Sequence, residues 1–214
     1  MKIGIIQASS QMDKNEMLYR ITKNVVAKYG YEVINFGVKL EEKQSYSYTE
    51  IALLIALLVN SKVIDFVITG CSSGQGMNLA CNTLPGLLSG FIQNPQDAFL
   101  YGRINDGNVA SLSLGLGFGW LGELNLEYTI EKLFDGQFGI GYPKEDAERK
   151  RKAANQVKQF NLISKRDITD VMNELDEDLI NKVVSKTDAV QYIINNSNEK
   201  KIVEYLSKKN IKQL

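Results

Sequence analysis

The chain has 214 residues, 44% hydrophobic and 23% charged, and its 25 basic and 25 acidic side chains cancel. That balance gives no basic excess for nucleic acid and no basic amphipathic stretch for a membrane surface. With no histidine and two cysteines, imidazole chemistry is excluded within the chain, a zinc site is disfavoured, and a disulfide scaffold has too few thiols.

The amino-terminal "KIGIIQAS" is a short apolar run bounded by small polar residues and predicts a buried strand. Leu18, Ile21, Val25 and Tyr29 then recur at helical spacing and share a face, with Gly30 placed to end that helix in left-handed backbone. "YEVINFG" predicts a second strand. "YTEIALLIALLVNS" predicts a helix apolar almost all round, which must be buried on several sides. "FVITG", "GLLSGFI" and "NVASLSLG" predict three further strands. They are separated by helices at "GMNLACNTL" and "PQDAFLYG" and followed by one at "LGELNLEYTIEKLF". Strands alternating with helices predict an α/β, three-layer fold with a five-stranded parallel sheet.

Beyond about Gly141 the sequence becomes strongly charged, with short helical patterns to the end. This predicts a helical C-terminal extension, residues 153–214, packed on the domain of residues 1–152 or on a second subunit, its charges a solvated face. The first apolar run is too short for a secretory signal, and "IALLIALLV" falls short of the ~20 residues that span a bilayer. The expectation is a cytoplasmic protein that binds neither nucleic acid nor membrane.

"GCSSGQGMN" (residues 70–78) leaves the third strand and opens a helix, the place where open α/β sheets bind ligands. At a helix N-terminus several N–H groups lack intrahelical partners, which favours anions, a thiolate included. Phosphate binding, redox chemistry and a cysteine acting as base or nucleophile all begin from such a loop. The loop does not fit the G-x-x-x-x-G-K-[ST] pattern of a phosphate loop, follows the wrong strand for a dinucleotide fingerprint, and has no C-x-x-C. Cys81 reads as a small buried residue.

"CSSGQGMNLACN" resembles the cysteine-glycine loop of the type B ribose-5-phosphate isomerases and galactose-6-phosphate isomerases, C-G-T-G-x-G-x-x-x-A-x-N. Cys71, Gly74, Gly76, Ala80 and Asn82 match, with Ser73 at the threonine. "GRINDGNVASLSLG" resembles the family's R-x-H-N-D-x-N-V-L-x-L-G, and Tyr48 fits its Y-P-D segment. The resemblance covers residues 1 to 152. It implies a Rossmann-like homodimer, or a tetramer, with sites near the subunit boundary. Such an enzyme interconverts aldose and ketose phosphates without metal or cofactor. It assigns Cys71 as the base that moves a proton between C1 and C2, with Ser73 and Asn105 as the other catalytic candidates. Substrate-binding candidates are Ser9, Tyr48, Ser72, Gly74 and Gly76, with Arg103, Arg149 and Arg151 for the phosphate; for each arginine a surface charge is the alternative.

Two departures bear on substrate. Ala8 and Ser9 replace the family's acidic residue and histidine after the first strand, and Ile104 stands at the histidine linked to sugar ring opening. A substrate other than ribose 5-phosphate, already open-chain, is therefore expected. A binding or regulatory homologue that has lost turnover, and one subunit of a mixed isomerase oligomer, are the competing readings.

Overall fold

A computed structural model describes residues 1–119 and 121–211, with no side-chain description for residues 210 and 211. Five parallel strands, β1 (Lys2–Ile5), β2 (Glu32–Asn35), β3 (Phe66–Cys71), β4 (Ser89–Ile92) and β5 (Val109–Ser113), form one sheet in the order β2-β1-β3-β5-β4. The helices are α1 (Asn15–Val26), α2 (Tyr48–Asn60), α3 (Gln75–Thr83), α4 (Pro95–Leu100) and α5 (Gly122–Leu133). They are followed by α6 (Ala147–Ser164), α7 (Ile168–Glu174), α8 (Glu177–Val184), α9 (Thr187–Asn196) and α10 (Lys200–Ile211). A π-helical turn, Tyr101–Asn105, extends α4 toward β5.

Strand side chains alternate between two cores. Ile3, Ile5, Phe66 and Ile68 face one layer, with Leu18, Ile21 and Val25 of α1 and Ile130 and Leu133 of α5. Ile6, Val67 and Cys71 face the other, with α2. Tyr29 leaves the predicted face because α1 ends at Val26; it sits in a short 3-10 turn and is exposed, before Gly30 takes left-handed backbone at φ 67°.

α2 begins with a capping box between Ser47 and Glu50, and its residues Ile51 to Leu58 are all buried. Its far side is covered by this same chain. Ile168, Met172, Ile180, Val183, Val190 and Ile193 of α7–α9 join its core, as do Ile202 and Leu206 of α10. The excess apolar surface of α2 therefore requires no second subunit. A division at residue 152 falls inside α6, so a continuous helix joins the two parts rather than a linker. α6 itself is barely packed: only Ala154 is buried, while Val157, Phe160, Leu162 and Ile163 are exposed. The expected solvated charged face is thus accompanied by an apolar one. Among the described residues no helix is long and apolar enough to cross a membrane.

Candidate active site

The strand order reverses direction between β1 and β3, which opens a crevice at their carboxyl ends. Two loops meet there. Ala8 N–H donates to the Gly70 carbonyl at 3.0 Å, and the Gln11 amide donates to Ser72 Oγ at 3.0 Å. The loop after β5 closes the third side, with Leu114 N–H donating to the Cys71 carbonyl and Gly115 N–H to that of Ser72. The Ser113 hydroxyl also donates to the Ser72 carbonyl.

Cys71 is the last residue of β3, 8% exposed, and pairs with Ser113 of β5. Gly74 caps α3 at φ 74°, where a Cβ would come within 2.8 Å of the Leu112 carbonyl oxygen and 2.7 Å of the Phe91 ring. Only glycine turns the chain there without strain. Gly76 has a different use: it leaves its surface to the Tyr48 ring, 3.5 Å from where a Cβ would stand. Ser72 and Ser73 are exposed. The first-turn N–H groups of α3 lack carbonyls one turn earlier, and Gln75 N–H reaches only Ser73 Oγ, at 3.4 Å. A cysteine that ends β3 shortly before the open first turn of α3 stands where a base could serve proton transfer next to a developing oxyanion. Ser9 stands at the rim, half-buried, its Oγ accepting from Tyr46 N–H at 2.6 Å.

Cys81 lies on α3, fully buried, and burial pushes its thiol up to about 12. The other α3 residue of the motif, Asn82, is structural: its amide exchanges two hydrogen bonds with the Ser89 backbone and so pins the edge strand β4.

The remaining candidates fall elsewhere. Asn105 precedes β5, while Cys71 pairs with the last residue of that strand. Four residue steps of strand put them about 13 Å apart or more, at opposite ends of the sheet. Asn105 is exposed and lines, with half-buried Ile104, a groove of about 500 Å³ along the free edge of β4. Arg103 corrects its expectation. It is 3% exposed, its guanidinium donates to the carbonyls of Leu133 and Asp135, and it stacks on Phe138. It is a strut between the π-turn and the end of α5, not a free anion ligand. Arg149 pairs with Asp146 on the surface, and Arg151 donates to the Ile140 carbonyl. The chain does not bring either arginine to Cys71.

A concavity of about 790 Å³ lies at the amino ends of β4 and β5 against α6 and α10. Several of its charges already have partners, Lys158 with Asp106 and Lys201 with Asp167 within the lining, and Arg166 with Glu174 outside it. Its lining holds no cysteine, serine or threonine, so the chemistry favours the crevice at Cys71. Sequence reasoning missed Gln11; the signal was its place in "QASSQ", directly after β1 at the crevice.

The model of the Ribose/Galactose Isomerase family matches residues 3–138. The chain belongs to that family. Its structure is similar to a 4-deoxy-L-threo-5-hexosulose-uronate ketol-isomerase complexed with a tartrate, at 40% identity over 98% of this chain and 99% of that one, TM-score 0.93. It is also similar to a ribose-5-phosphate isomerase from Vibrio parahaemolyticus, at 34% identity over 98% and 99% of the two chains, TM-score 0.92. The type B ribose 5-phosphate isomerase from Trypanosoma cruzi shares the fold at 17% identity, TM-score 0.62, over 75% of this chain and 98% of its own. No curated protein sequence matches the chain. The family and these two long-range similarities make it a sugar isomerase of the aldose–ketose type.

Proposed function

We propose that the chain isomerises an open-chain sugar acid, of the 4-deoxy-5-keto-uronate class, with Cys71 as the base. The observation that carries this is Cys71 at the crevice mouth, against the unpartnered first turn of α3. As thiolate, Cys71 takes the proton from the carbon beside the carbonyl. The C–H electron pair forms the enediolate, whose oxygen faces the α3 N–H groups. The Cys71 thiol, whose proton can exchange with solvent, then delivers a proton to the neighbouring carbon, while a proton moves between the two oxygens. Ser73 and Ser72 stand where they can hydrogen-bond substrate hydroxyls.

Two observations favour a sugar acid over ribose 5-phosphate. Ile104 cannot relay a proton and makes its wall apolar, which suits a substrate with no ring to open and fewer hydroxyls there; an unpaired buried hydroxyl costs about 1–3 kcal/mol. The similarity at 40% identity and full length is to an enzyme named for such a 4-deoxy uronate. The test is steady-state isomerisation of 4-deoxy-L-threo-5-hexosulose uronate beside ribose 5-phosphate and other pentose and hexose phosphates, with deuterium incorporation read at C1 and C2. The uronate is expected to be turned over and ribose 5-phosphate poorly. A kcat/KM for ribose 5-phosphate of about 10⁴ M⁻¹s⁻¹ or more overturns the reading of Ile104.

The working form proposed is a cytoplasmic homodimer whose sites combine Cys71 of one copy with Asn105 of the other. Two facts support it: those residues lie at opposite ends of the sheet, and α6 carries an exposed apolar face beside the Asn105 groove. Mixing Cys71→Ala with Asn105→Ala chains should restore activity that neither has alone. A protein that sediments as a monomer at micromolar concentration sinks this arrangement.

A further inference from the structure

The C-terminal extension touches more than α2. Residues 39–47 form a strap between β2 and α2, and its polar contacts run to the α8–α9 junction. Lys186, 3% exposed, pairs with Glu42 at 2.8 Å and Asp188 at 2.9 Å. Glu42 in turn accepts from Lys39 N–H at 2.8 Å, closing the strap's first turn. Ser185 Oγ lies 2.7 Å from Gln44 Oε1 and 3.1 Å from the Tyr46 hydroxyl. The far end of the strap grips the site. Tyr46 N–H donates to Ser9 Oγ, and Ser9 N–H donates back to the Tyr46 carbonyl at 2.9 Å. Two residues on, Tyr48 lies against Gly76.

We infer that Lys186 and Ser185 are positioning residues for the isomerase site, holding the strap that sets Ser9 and Tyr48 beside the Cys71 loop. A buried ammonium is costly unless paired, so Lys186 has one stable arrangement, and that arrangement fixes Glu42. The strap is otherwise a stretch without helix or strand, the kind of segment whose backbone wanders unless tied down. The link is one of geometry: neither residue touches substrate. It rests on the reading that the crevice at Cys71 is the substrate site.

The test uses the full chain with Lys186→Met, Ser185→Ala, and Ile202→Val as a control that loosens the extension core without touching the strap. Hydrogen exchange at the Ser9 and Tyr46 amides is expected to speed about tenfold in Lys186→Met, and less in Ser185→Ala, with no change in Ile202→Val. On the sugar that the parent turns over, KM should rise about five- to tenfold in Lys186→Met with kcat within about threefold. Unchanged exchange at those amides overturns the inference, as does faster exchange with an unchanged KM. If Lys186→Met does not fold, Ser185→Ala decides by the same two readings. If no sugar in the panel is turned over, the substrate reading fails separately. Exchange then stands beside the rate at which iodoacetamide alkylates Cys71; a rate unaltered by loosening the strap overturns the inference.

Discussion

The two ends of the sheet carry the two sequence segments most like the family, and they treat polar groups differently. At the carboxyl end, the Cys71 loop leaves Ser72, Ser73 and the first turn of α3 open to a ligand. At the amino end, the segment Tyr101–Asn108 satisfies almost everything it carries. Tyr101 donates to the Leu88 or Val109 carbonyl, Arg103 to those of Leu133 and Asp135, and Asn108 both accepts from Leu88 N–H and donates to the Gly86 carbonyl. Ile104 and Asn105 face the groove without such partners. Two segments that resemble the family equally thus differ in how far their polar groups are already satisfied.

The contrast predicts opposite mutational signatures. Cys71→Ala should lose about 10²–10⁴-fold in turnover with the thermal midpoint held, read by isomerase assay beside calorimetry; full activity in the alanine variant would end the assignment. Arg103→Met at the other end should do the reverse. It strands the buried Leu133 carbonyl, at about 1–3 kcal/mol, and frees the part-buried one of Asp135, so the denaturation midpoint falls while kcat of the folded fraction stays near parent. A large kcat loss with unchanged stability would return Arg103 to the site. Tyr101→Phe sharpens the same point more gently, with a loss of about 1–2 kcal/mol by urea titration and no kinetic change.

The smallest effect is a pH dependence. Burial pushes Cys81 from 9.0 to about 12 and raises Tyr101 too. Both groups hold their protons more tightly in the folded chain than in the unfolded one. Their contribution is fully present below pH 9 and is lost as pH climbs through about 12. Urea midpoints should be level from neutral pH to 9 and decline above it; a Cys81→Ala variant should decline less steeply, and an equal decline rejects the attribution. Within the folded protein, iodoacetamide at mildly alkaline pH should label Cys71 and spare Cys81.

Much of this was legible in the sequence, for identifiable reasons. The five strands appear in order because apolar runs of β-branched residues between turn residues have few other readings. The place of Cys71 at the end of β3, before a glycine-capped helix, was legible because an apolar run followed by a glycine-rich turn marks a strand–helix junction. Arg103 was not, because its partners are backbone carbonyls about thirty residues away, and carbonyls leave no mark on composition. What covers α2 was not legible for a related reason. Its apolar surplus is plain, but surplus says only that something must pack there. The short amphipathic helices that do so read individually as surface pieces. The strap anchored by Lys186 was illegible because a buried lysine looks, in sequence, like any of the tail's many charges.

The covering of α2 has a consequence for the order in which the molecule can be completed. Residues 51–58 leave the ribosome long before residues 168–206, which pack against them. Throughout that interval the nascent chain carries a bare apolar helix beside an otherwise formable sheet, the kind of surface that invites association. The final fold therefore locks last at its far terminus. Cutting the chain back after Ser164, to the length of relatives that lack these helices, would not yield a smaller isomerase but a sticky intermediate made permanent.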